Sequence, residues 1–99
     1  MDMRQCDNEE LLQQIGSRNI FAISGGRVLV RETGITLPVS SGYSVEVDLA
    51  ADDTYVVRRV FTRAGKRWIK GERTNVYCDQ VGELAYRASC FRSYDENEW

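Results

Sequence analysis

Residues 43–49 read YSVEVDL, and their period is two. Tyr43, Val45, Val47 and Leu49 fall on one face, Ser44, Glu46 and Asp48 on the other. Alternation this strict fits a strand with one buried face and not a helix. AADD (50–53) follows, then TYVVRRVFTR (54–63), AGK (64–66) and RWIKGERTNVY (67–77). Extended runs joined by short turn segments predict an antiparallel meander that can curl toward a small barrel. The turns also set the register. With AADD as a tight turn, facing residues on the first pair have numbers summing to about 104; with AGK, those on the second pair sum to about 130. The core face then carries Tyr43, Val45, Val47, Leu49, Tyr55, Val57, Phe61 and Ile69.

The other face carries Glu46 opposite Arg58, and Arg58 opposite Glu72, an acid–base–acid ladder. Each such cross-strand pair contributes about 0.2–1 kcal/mol, which commits Arg58 to the sheet. The same register sets Val60 beside Lys70 and Thr62 beside Trp68. Arg59 lands on the core face opposite Gly71, where the missing side chain leaves room for a long one. There it either snorkels to the sheet edge or pairs with a carboxylate, or it lines a pocket; buried without a partner it would be too costly to keep. A slip of one residue in either turn would exchange every face.

Flanking segments complete the outline. Asp7 and Glu10 form a D-x-x-E capping box ahead of Leu11, Leu12 and Ile15, which predicts a helix over 8–16 closed by Gly16. NIFAIS (19–24) and RVLVR (27–31) flank Gly25-Gly26 and predict a hairpin. A phosphate-cradling SGGR loop would require a helix after the glycines, and a β-branched run follows instead. Residues 35–39 (ITLPV) predict a short strand that Pro38 marks as an edge or an end. Residues 80–89 fit a helix stripe (Val81, Leu84, Ala85, Ala88) or a strand (Leu84, Tyr86, Ala88, Cys90). Composition and Asp79 as a cap favour the helix. Residues 1–6 and 93–99 read as flexible tails, with Trp99 able to dock. The expectation is one α+β domain over 1–99: an N-terminal helix, a curved antiparallel sheet of about five strands and a C-terminal helix.

Composition narrows the chemistry. There is no histidine among the 99 residues, which removes the commonest general base. Three cysteines, Cys6, Cys78 and Cys90, show no CxxC spacing and are too few for an all-thiolate site. Cys78 precedes Asp79, which raises rather than lowers a thiol pKa, and Cys90 sits in apolar ASCF. The odd count and the apolar-poor start MDMRQCDNEELL suggest reduced thiols in a cytosolic protein. No apolar run is long enough to span a membrane. The expectation is no enzyme, no metal and no cofactor.

Charge, by contrast, is informative. Residues 58–73 (RRVFTRAGKRWIKGER) hold seven of the 13 basic residues and one of the 15 acidic ones, leaving a strongly acidic remainder. With Arg58 committed to the ladder, Arg63, Lys66, Arg67, Lys70 and Arg73 concentrate around the hairpin tip beside Trp68. That set suits an acidic protein partner. The alternative is nucleic acid, with phosphates on the cations and a base on the indole. A solvated tip needs no ligand at all, and the acidic remainder repels a polyanion. Self-association through an exposed edge such as 35–39 is a third reading.

The phrases LLQQIGSRNIFAISGGR and DTYVVRRVFTRAGKRWIKGERTNVYCDQVGELAYRASCF resemble a group of short uncharacterised proteins encoded by bacteriophages of actinobacteria. The resemblance spans about residues 11–92. It carries no catalytic signature and no function to transfer. It implies a viral accessory protein acting in the host cytoplasm by binding a host protein or nucleic acid.

Overall fold

The structure is a computed structural model that describes residues 7–96, 98 and 99; the predicted tail 1–6 lies outside the described residues. Its elements are α1 (Asn8–Ile15), α2 (Ser17–Ser24), β1 (Leu29–Val30), β2 (Gly34–Pro38), β3 (Tyr43–Leu49), β4 (Tyr55–Arg63), β5 (Lys66–Val76) and α3 (Val81–Ser89). The strands form one antiparallel sheet in sequence order. The sheet is curved but unclosed, and the fold is α+β, as expected.

Helix α1 starts where the capping box sets it. Asp7 Oδ1 accepts the Glu10 N–H at 3.2 Å. Gly16, at φ 91°, stops it. The next segment departs from expectation: residues 19–24 belong to helix α2, not to a strand. Ile20 and Ile23 are three apart, and both are buried on the helix side that meets the core, while Phe21 points to solvent. Gly25 (φ 66°) is therefore a left-handed helix cap, its N–H donating to Phe21 O. Hairpin and phosphate loop both fail here. The glycines follow a helix C-terminus, where the backbone dipole repels an anion.

The meander follows the predicted turns. Every β3–β4 pair sums to 104, from Tyr43–Phe61 to Leu49–Tyr55. Residues 35–39 are not an outer edge: β1 pairs with Thr36 and Ile35, and the outer strands are β1 and β5. Pro38 ends its strand. The 80–89 segment is helical, but Gln80, not Asp79, occupies the cap position and provides no side-chain cap bond.

The three helices contribute Leu11, Ile15, Ile20, Ile23, Val81, Ala85 and Ala88 to a core shared with Ile35, Leu37, Val45, Val47, Tyr55, Val57 and Val76. These strand residues share one sheet face. The opposite face bears a charged network over buried Val56 and Val60.

Candidate docking hairpin

Ala64 (φ 53°) and Gly65 (φ 77°) both take positive φ, the requirement of a type I′ turn, and the Arg63–Lys66 pair closes it. The β4–β5 register then slips twice. Val57–Arg73 and Arg58–Glu72 sum to 130 as predicted, but from Val60–Ile69 to Arg63–Lys66 the sum is 129. The slip is a bulge at Lys70-Gly71, with Gly71 at φ 144°. It turns over every side chain between the bulge and the tip. Ile69 leaves the core face and is 50% exposed, Trp68 pairs with Phe61 rather than Thr62, and Val60 pairs with Ile69 rather than Lys70.

The predicted ladder is re-partnered. Arg58 Nε donates to Glu72 Oε2 at 2.6 Å, but its Nη1 donates to Asp48 Oδ2 at 3.0 Å instead of to Glu46. Asp48, 3% exposed, also accepts from Arg31 Nη1 and Thr33 Oγ1, each at 2.7 Å. Glu46 is held by Arg67, through Nη2 to Oε1 and through Nε to Oε2 at 3.2 Å. Donating to the Glu46 carboxylate pushes the Arg67 pKa up. Arg67 is thus a cross-sheet partner rather than a free cation.

Two more of the basic residues are anchored inward. Arg59, 3% exposed, donates from Nε to Ala88 O at 2.6 Å and from Nη2 to Arg87 O at 3.3 Å. Its partner is the C-terminal end of α3, not a carboxylate. Burial pulls its pKa below the ordinary arginine value. The space over Gly71 is filled by Trp99, not by Arg59. Arg73 Nε donates to Trp99 O at 3.0 Å, with its guanidinium 4.8 Å from the indole centroid.

Arg63, Lys66 and Lys70 remain, with no hydrogen bond or ion pair to another described residue. Arg63 and Lys66 share the face of Phe61 and Trp68. On that face runs a row of rings: Phe91 stacks on Tyr43 (4.0 Å, 10°), Tyr43 lies 5.0 Å from Phe61, and Phe61 5.8 Å from Trp68. Trp68, 42% exposed, is its open end. Ile69 presents an apolar side chain on the opposite face of the same strand. Neither Phe91 nor the tip reversal was legible in sequence; a glycine inside a strand run was the available signal of a bulge.

Elsewhere, a concavity of about 510 Å³ between α1 and α2 is lined by Leu12, Gly16 and Ile20 with Glu9 as its one charged group. Among the described residues no cluster of three or more Cys, Asp or Glu side chains is placed to hold a metal ion, and no helix is long and apolar enough to cross a membrane. Comparison with family models, with curated proteins and with solved structures gives no match.

Proposed function

We propose that this chain is a small non-enzymatic binding protein of bacteriophage type that docks a host protein in the host cytoplasm through the 58–73 hairpin. The observation that carries this is what remains at the tip once internal partners are assigned: Arg63 at the end of β4 and Lys66 and Lys70 on β5, around exposed Trp68 and Ile69, with β5 paired on one side only. A sheet edge gives main-chain hydrogen bonds to an added strand, and flanking side chains select its sequence. Aromatic anchors beside cations are the usual energetic centre of such interfaces. The cations also discourage edge-to-edge pairing of two copies of β5, so the edge favours an acidic extended segment over its own kind.

Nucleic acid is the weaker reading. Arg67 and Arg73, two of the cations it would need, are engaged by Glu46 and Trp99. Three unpaired cations displace few counterions, so binding to a polyanion would be weak and would fade quickly with salt.

The test is fluorescence anisotropy with two probes, a labelled ten-residue peptide alternating Glu and Val and a labelled single-stranded oligonucleotide. Wild type is compared with Arg63→Glu/Lys66→Glu/Trp68→Ala. Peptide binding that falls at least about tenfold in the triple variant, a loss of about 1.4 kcal/mol, supports the proposal. Oligonucleotide binding with no peptide binding favours the alternative, and silence from both overturns the hairpin as a docking site.

A further inference from the structure

Two exposed surfaces of this chain are complementary to each other. One is the hairpin tip, where Trp68 and Ile69 stand open among Arg63, Lys66 and Lys70. The other is the concavity of about 510 Å³ between α1 and α2. Its floor is Leu12, Gly16 and Ile20, and a Cβ at Gly16 would meet nothing within 4 Å beyond its chain neighbours, so the floor is open. Ser17 forms a wall. Phe21, four residues on and one turn along the same ridge of α2, is 73% exposed, the most exposed large apolar side chain among the described residues. Glu9 is exposed at the rim, with no hydrogen bond or ion pair to another described residue. Asp7 and Glu10, on the same turn, share its sign. Arg18 is the one cation of the two helices, and it does not line the concavity. The two helices pack on α3 and β2, whereas β5 packs on β4, so groove and tip belong to different parts of the fold.

We infer that the α1–α2 concavity receives the basic tip of a second copy of this chain, a head-to-tail contact that occupies the tip until a partner displaces it. The inference rests on the tip being a docking surface, as proposed above, and adds what regulates it. Trp68 brings a ring to the apolar floor and to Phe21, and Arg63 and Lys66 bring charge opposite to Glu9. Groove and tip are different surfaces, so each associated pair keeps one of each free, and growth continues past the dimer unless the geometry closes a ring. One ring in one groove buries about 150–250 Å², far less than stable complexes bury, so the contact is weak and reversible. A strand added to β5 also gains main-chain hydrogen bonds. The groove offers none of these, so a host segment displaces the second copy.

The test is sedimentation velocity at low salt over a concentration series reaching about 1 mM, where a contact of millimolar Kd is populated. Wild type is expected to gain mass with concentration, and to lose it on adding salt or the alternating Glu-Val peptide. Glu9→Lys/Phe21→Lys removes the groove, and Lys66→Ala/Trp68→Ala removes the tip. Each should weaken association at least about tenfold, and an equimolar mixture of the two should form a 1:1 complex and nothing larger. Phe21→Lys alone repeats the groove test without touching the start of α1. A wild type that stays monomeric overturns the inference, as does association that either double variant retains, or a mixture that does not pair. The groove variant keeps its tip, which separates the two readings. Peptide binding without self-association overturns this inference alone, and self-association without peptide binding overturns the host-docking reading alone.

Discussion

Replacing Arg59 with methionine should destabilise the domain by about 2 kcal/mol. The Arg59 guanidinium is 3% exposed and closes the C-terminal end of α3 through Ala88 O at 2.6 Å and Arg87 O at 3.3 Å. The shorter bond is charge-assisted and contributes about 1.5–3 kcal/mol. The longer one adds little, because Arg87 O already accepts the Cys90 N–H at 3.0 Å. A cation at a helix C-terminus adds about 0.3–1 kcal/mol. Against these stands the dehydration of the guanidinium, which methionine relieves and which is severe enough to lower the Arg59 pKa. Replacing both members of a buried polar pair is often neutral, but here the carbonyl stays behind without its donor. The loss of the bond therefore outweighs the relief. For a domain of this size about 2 kcal/mol corresponds to a fall of roughly 8–16 °C in Tm. Urea and thermal melts of wild type, Arg59→Met and Arg59→Lys would measure it, with lysine intermediate because it keeps the charge and one donor. An Arg59→Met chain as stable as wild type would refute the reasoning and show that α3 is seated by its apolar face alone.

The remaining predictions concern other links. Asp48→Ala removes a buried carboxylate that joins Arg31, Thr33 and Arg58, and should lower the urea-derived stability by about 3 kcal/mol; a change below 0.5 would contradict the network. Arg67→Ala should change stability by less than about 1 kcal/mol, as its pair with Glu46 is exposed on the arginine side. Gly71→Ala should shift Trp99 emission to the red in a Trp68→Phe background and lower Tm, because the left-handed strain alone is about 1–3 kcal/mol and a Cβ meets the indole at 2.6 Å. The Thr54 hydroxyl, and then its N–H, hold the Asp52 carboxyl below its usual 3.8. A depressed acid stabilises the fold above its unfolded pKa and loses that contribution as pH falls through the folded one, so the contribution is full above about pH 3.8 and is gone only below the lower folded value. Thr54→Val should return the Asp52 titration, followed by carboxyl NMR, toward the ordinary value.

The sequence spoke clearly where one physical rule decided the outcome. Alternation in 43–49 and the AADD turn yielded the β3–β4 register without error, and Asp7 capped α1 as its spacing required. It failed where two rules competed. NIFAIS has strand-like composition, but Ile20 and Ile23 at helical spacing reach a core already supplied by Leu11 and Ile15, and tertiary packing overrode local preference. In the hairpin, Gly71 does not make room for Arg59. It is instead the bulge that reverses the tip and the seat of Trp99. That seat joins residues 28 positions apart, and no local pattern encodes it. The pairing of Arg67 with Glu46 was hidden for the same reason: the predicted ladder assigned Glu46 to Arg58, whereas buried Asp48 drew Arg58 away.

The central claim, that the outer strand and tip of this hairpin receive an acidic extended segment, is tested most directly by a ¹⁵N–¹H NMR titration with the alternating Glu-Val peptide at low salt. Shifts are expected to concentrate in the amides of residues 63–70 and the Trp68 indole, to diminish with salt and to be lost in Arg63→Glu/Lys66→Glu/Trp68→Ala. Shifts confined to other elements, or an unchanged spectrum at millimolar peptide, would contradict it.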